Sequence, residues 1–321
     1  MNIRAILTIL FIACLCGAHA QDPLISIKSA APLHFNPAYT GNEYFTRASL
    51  NYRNHYPGAG TSFISYAASF DIFLNRYNSG LGIMLLSDQL GSKTFSYNSA
   101  NIAYSYKINI NETNALRAGI SGNLFYGIND PNGLIFPDMI SPDGVVNPNE
   151  FTYERNSSFG ADFGTGLLFE NKRLEAGVAL FHLGSPGDLV YWHRPVRIYT
   201  HVEMKIPLFA GKTYRPQSEI EDIIKGSSSL TPRIYYQQQG ASKLWGAGAL
   251  AQISALKFGL YSRQDFKFHS VTFSIQAGYS SDIMEVGYMF DMGFIGMTFR
   301  GFSTASHELC VIFKFPSSKE D

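Results

Sequence analysis

The sequence predicts an all-β protein: a transmembrane antiparallel β-barrel of about 14 strands. Three observations carry that reading. From Thr46 to Phe315, apolar and polar residues alternate in segments of roughly ten residues separated by turn residues. Ionisable residues such as Arg53, Asp71, Arg117, Asp162 and Arg197 stand well inside the polar faces, where an aqueous lumen tolerates them. After residue 20 no apolar run reaches the roughly 20 residues of a membrane-spanning helix. A soluble β-sandwich also alternates, but its strands are usually about 5–6 residues long.

The first segment reads as an export signal. Arg4 precedes an apolar run from Ala5 to Leu15, and Ala18-His19-Ala20 ends it before Gln21. That order marks a secretory signal peptide over residues 1–20. The alternative is a lipoprotein signal at Cys14, for which Phe11-Ile12-Ala13 is a poor fit. Removal of the signal leaves Cys310 alone, so no internal disulfide forms. Residues 21–45 read as a periplasmic N-terminal segment, 46–315 as the barrel and 316–321 as a tail.

Composition narrows the function classes. Charged residues make up 16% of the chain and the formal net charge is +0, which argues against a nucleic-acid partner. Aromatic residues at 14% and 29 glycines suit strands with aromatic girdles and tight turns.

The alternation can be followed strand by strand. Ala48, Leu50 and Tyr52 oppose Arg47, Ser49, Asn51 and Arg53. Ile64, Tyr66, Ala68, Phe70 and Ile72 oppose Ser65, Ala67, Ser69 and Asp71. Val196, Ile198, Val202, Met204 and Ile206 oppose Arg197, Tyr199, His201, Glu203 and Lys205. Strands start near Thr46, Thr61, Asn78, Lys93, Asn114, Ser157, Arg173, Pro195, Ser229, Lys243, Leu256, His269, Ile283 and Ala305. With the N-terminus in the periplasm, connections after even-numbered strands are periplasmic and short. Asn75 to Tyr77, Asn109 to Thr113, Asn171-Lys172, Ser254-Ala255 and Ser281-Asp282 fit that rule. Ile128 to Asn156 is the longest outer connection, and Gly58-Ala59-Gly60 is a short exception there.

Pro207 to Ser228 is long for a periplasmic connection. Ser218-Glu219-Ile220-Glu221 fits a helix capping box, and Gly226 a stop. Ile220, Ile223 and Ile224 then share one face. That face either packs under the rim or docks a periplasmic partner.

Catalytic and cofactor patterns are not found: there is no P-loop, dinucleotide fingerprint, HExxH or CxxC pair. The histidines are scattered, and His201 on a polar strand face reads as a lumen hydrogen-bonder rather than a metal ligand. Gly80-Leu81-Gly82 and Gly246-Ala247-Gly248 read as strand glycines that relieve crowding. The chain is expected to be no enzyme and to need no cofactor. A diffusion channel for small or hydrophobic solutes is the alternative that barrel physics alone leaves open.

More specific motifs open the mature chain. Leu33-His34-Phe35-Asn36-Pro37-Ala38-Tyr39-Thr40-Gly41 is followed by Tyr52-Arg53-Asn54-His55-Tyr56-Pro57. Phe181-His182-Leu183, Leu230 to Gln237, Gly287-Tyr288-Met289-Phe290-Asp291 and Ser306-His307-Glu308 continue the series. In order and spacing these resemble the PorP/SprF family of the type IX secretion system. His55-Tyr56 departs from the usual Gln-Trp, and the 207–228 connection is longer than usual. The resemblance implies an integral outer-membrane barrel of Bacteroidota-type bacteria, active in protein secretion and gliding motility. It implies partners among secreted cargo adhesins and periplasmic peptidoglycan-linked secretion components, besides outer-membrane lipid. Asn36, Pro37, Tyr39 and Gly41 would shape the periplasmic entry to the first strand. They serve either as a fold-setting turn or, with Ile220, Ile223 and Ile224, as a partner-docking site.

Overall fold

The computed structural model describes residues 22–43, 45–57, 63–90, 94–134, 139–141, 143–144, 154–184, 194–208, 228–266, 270–295, 298–299 and 305–316. The export signal and the connection carrying Ile220, Ile223 and Ile224 lie outside these residues.

Fourteen long strands close into an antiparallel barrel. They are β1 (Phe45–His55), β2 (Phe63–Leu74), β3 (Ser79–Leu90), β4 (Phe95–Asn109), β5 (Asn114–Asn129), β6 (Asn156–Asn171) and β7 (Leu174–Leu183), then β8 (Arg197–Met204), β9 (Ser229–Gln239), β10 (Ser242–Ile253), β11 (Leu256–Asp265), β12 (Ser270–Ser280), β13 (Met284–Ile295) and β14 (Ala305–Pro316). Each pairs with its sequence neighbour, and β1 pairs with β14 from Phe45↔Pro316 to His55↔Ser306 to close the ring. Two-residue pairings at Ile206–Pro207 and Thr298–Phe299 extend the ladder locally. Closure leaves no strand edge, which the bilayer requires because lipid offers backbone groups no partner. No helix among the described residues is long and apolar enough to cross a membrane.

The two faces separate as the alternation demands. Leu50, Ile102, Ile120, Phe159, Leu260 and Phe273 point outward and are exposed, as lipid contact requires. Arg47, Ser49, Asn51 and Arg53 on the opposite face of β1 are buried inside the barrel. Apart from the connection between β8 and β9, turns on the even-strand end are tight. Asn78 closes the Asn75–Tyr77 turn at φ +49°, a left-handed conformation asparagine adopts more readily than most residues. At the opposite, odd-strand end, Gly240 at φ +58° allows the two-residue connection between β9 and β10.

The ladder is irregular between β6 and β7. The register shifts after Thr165↔Leu180, so that Phe163 next pairs with Leu183. Two consecutive residues, Phe181 and His182, are therefore both buried inside, and His182 has φ +62°. An extra residue in one strand re-aims a side chain that regular alternation would send into lipid.

Candidate functional site

The sequence reading puts residues 21–45 in the periplasm, whereas the structure places 22–43 inside the barrel. The reason is apolar content: Ile25, Ile27, Leu33, Phe35 and Tyr39 need burial. They find it against inward-facing Met84, Leu86, Tyr97, Phe125, Leu168, Tyr199 and Met289. Among the described residues, the lumen along the segment's path is thus a packed core with a polar wall. Cavities of about 100, 40 and 20 Å³ remain around the segment. Each has room for at most a few waters.

The segment crosses the lumen three times. Asp22 lies beside His182, Arg197 and Gln239, at the end where odd-numbered strands finish, which the rule of short periplasmic turns makes the outer one. Lys28 reaches Glu175 and Glu203 near the periplasmic end. His34 returns to Arg197, and Thr40 and Gly41 descend again to Ser105 and Asp71 before β1 begins.

The Asn36–Gly41 motif is seated by local chemistry and by glycines in the wall. Asn36 is extended at φ −160° and caps a single 3-10 turn, Pro37–Tyr39, with Pro37 at its first position. Its Oδ1 accepts from Ala38 N at 2.8 Å, and its Nδ2 donates to Leu167 O at 3.1 Å and Val178 O at 3.2 Å. Gly41 at φ +61° turns the chain and donates its N–H to Asp71 Oδ2 at 2.9 Å. Asp71 in turn holds Arg47 by two bonds of 2.8 and 3.0 Å. A Cβ on Gly80, Gly119 or Gly166 would come within 3.0 Å of Thr40, Ala38 or Asn36. These strand glycines make room for the segment's backbone. Replacing Asn36 by Ala removes three bonds and leaves the buried Ala38 N–H without its acceptor. The expected loss is about 1–3 kcal/mol, read as a lower midpoint for the heat-induced gel shift of the folded barrel.

Ionic contacts fix the segment at three levels. At the outer end, Asp22 Oδ1 accepts from Arg194 Nη1 at 2.6 Å and Gln239 Nε2 at 3.1 Å. Its Oδ2 meets His182 Nε2 at 2.8 Å, and His182 Nδ1 meets Asp162 at 2.8 Å. His34 Nε2 lies 2.9 Å from Arg197 Nη1.

Midway, Glu308 accepts from the backbone N–H groups of Ser26 at 2.9 Å and Ile27 at 3.0 Å. Arg53 bridges Glu308 at 2.8 Å and Asp291 at 2.6 Å, with all three side chains at most 2% exposed. Towards the periplasm, Lys28 binds Glu175 at 2.8 Å and Glu203 at 2.5 Å, while the Tyr39 hydroxyl contacts Glu175 and His201.

Of the residues singled out in the sequence, Asn36, Pro37, Tyr39 and Gly41 come together here, buried against the wall. Ile220, Ile223 and Ile224 fall outside the described residues. Sequence reasoning missed Asp22, Ser26 and Lys28 on the segment, and His182, Arg194 and Glu308 as their partners. One signal was available. In β3 both faces are apolar, with Leu81, Ile83 and Leu85 outward and Met84 and Leu86 inward, so something inside had to cover the inward pair. Cys310 is buried beside Ile27, Ala30 and Met289, away from any intermolecular bridge.

A closed outer-membrane barrel filled by its own N-terminal segment is the class the geometry defines. Residues 18–313 match the family model described as type IX secretion system membrane protein PorP/SprF. The chain belongs to that family and is an integral outer-membrane protein. Solved structures similar to it include the Acinetobacter baumannii outer membrane protein Omp33, at 8% identity and TM-score 0.47, covering 86% of this chain and 100% of that one. The CymD monoaromatic hydrocarbon channel is similar at 10% identity and TM-score 0.48, covering 89% and 91%. A Rhodopseudomonas blastica porin triple mutant is similar at 9% identity and TM-score 0.35, covering 84% and 99%. No curated protein matches.

Proposed function

We propose that this barrel is a non-enzymatic component of type IX secretion that aids the secretion or surface anchoring of one cognate cargo protein, such as an adhesin. Peptidoglycan-linked secretion components are its periplasmic partners in this reading, with Ile220, Ile223 and Ile224 as a docking face. The observation that carries it is the filled lumen. A solute channel needs a continuous aqueous path, and residues 22–41 interrupt it with packed side chains and buried ion pairs. A barrel whose lumen is occupied by its own chain acts through what it holds. Deleting the gene is expected to remove one or a few proteins from the cell surface and to leave the other secreted proteins at normal amounts. An unchanged surface proteome, with raised resistance to a small solute, would favour the channel instead.

A further inference from the structure

The two halves of the lumen segment are attached differently. Residues 31–41 form helical turns whose backbone lies against wall glycines. Residues 22–27 carry no helical turn and join no strand. Their described hydrogen bonds to the wall run between their own polar groups and wall side chains, at Asp22, Ser26 and Ile27. The first of these anchors is a receptor for a carboxylate. Arg194, Arg197, His182 and Gln239 converge on one group, and each of the four is more than nine-tenths buried.

The receptor also has donors to spare. Arg194 Nε is buried without an acceptor. Arg197 Nε lies 3.2 Å from Asp22 Oδ2 but is not aligned to donate. A cavity of about 40 Å³, lined by Asp22, His34, Asp162, His182, Arg194 and Arg197, adjoins them. Planar guanidinium groups recognise a carboxylate best through two parallel bonds, which Asp22 does not complete here. The seat is at the end where odd-numbered strands finish, the outer end by the rule of short periplasmic turns.

We propose that this seat is a carboxylate-binding site, occupied in cis by Asp22, in which an acidic residue or chain terminus of a polypeptide arriving from the cell surface replaces Asp22. The inference rests on the cargo-binding reading above and names the chemistry by which cargo would be gripped. Exchange costs no ladder hydrogen bond, because Asp22 belongs to no strand.

Chemical rescue tests the seat without any cargo. Asp22→Ala empties it in the full-length, detergent-purified barrel. The variant is expected to lose several degrees of thermal midpoint, and 0.1 M sodium acetate to restore at least half of that loss where equal sodium chloride restores none. Arg197→Gln in the same background is expected to abolish the rescue. The peptide acetyl-Asp-Pro-Leu-Ile-amide, which copies the resident sequence, is expected to act at about tenfold lower concentration than acetate, a difference worth about 1.4 kcal/mol. No acetate-specific rescue, or equal stabilisation of the unaltered barrel, overturns the seat. Equal potency of peptide and acetate overturns the polypeptide assignment. Should Asp22→Ala not assemble, Asp22→Ser, which also removes the carboxylate and leaves room for acetate, is read the same way. A failed rescue leaves the surface-proteome result untouched, so the two readings fail separately.

Discussion

Removing residues 22–41 is expected to turn a silent barrel into a conducting one. The segment donates no hydrogen bond to the strand ladder as a paired strand, so the closed ring of β1 to β14 persists without it. What is lost is the filling. Met84, Leu86, Phe125, Leu168 and Tyr199 would face water, and Arg197, Glu308 and Glu175 would lose partners. A barrel of 14 strands leaves an interior wide enough for water once nothing fills it. In planar bilayers the unaltered protein should give no stable steps, and the deletion variant should give discrete ones. Liposome swelling with small sugars should follow the same order. The barrel should also be less stable, because its wall evolved against an apolar neighbour. Open-channel steps from the unaltered protein would contradict a sealed lumen, as would silence from a deletion variant that still shows the folded gel mobility.

The second large effect is expected at Arg53. Its guanidinium pairs with both Asp291 and Glu308 where no solvent reaches them, and Arg263 adds a longer contact to Asp291 at 3.6 Å. Arg53→Ala leaves two carboxylates buried against each other and breaks the bond to Ser26 at 3.0 Å. Breaking a buried pair by removing one partner costs about 3–5 kcal/mol, because the remaining charge is uncompensated. The comparison that isolates this cause is the triple change Arg53→Met with Asp291→Asn and Glu308→Gln. It removes all three charges, keeps one amide oxygen as acceptor for either Ser26 N or Ile27 N, and is expected to be more stable than Arg53→Ala alone. Thermal midpoints of the three proteins decide the matter. A triple variant less stable than the single one would mean that the pairing itself, not the uncompensated charge, supplies the stability.

The barrel is readable from local pattern. Every strand starts within two residues of the position the alternation and turn chemistry indicate, as at Thr46 against Phe45 and His269 against Ser270. Period two is a property of adjacent residues, and Asn, Gly and Ser punctuate it locally. The segment inside is not readable the same way. Asp22 to Gly41 has no period, and its contacts span long separations, such as Ile27 to Glu308 and Asn36 to Leu167. A stretch holding Leu24, Ile25, Ile27, Leu33 and Phe35 is nevertheless poorly suited to a solvated periplasmic tail. Gly80 and Gly82 read in the sequence as relieving crowding within a curved sheet, and in the structure they face Thr40 and Leu33. His182 escapes the pattern because a register shift, not alternation, turns it inward.

The measurement that bears most directly on a barrel that works by holding protein is gentle purification of the tagged chain from native outer membrane, with mass spectrometry of its companions. A large secreted adhesin, or peptidoglycan-linked secretion components, recovered at near-equal amounts is the expected result. Recovery of the barrel alone across several mild detergents would contradict it.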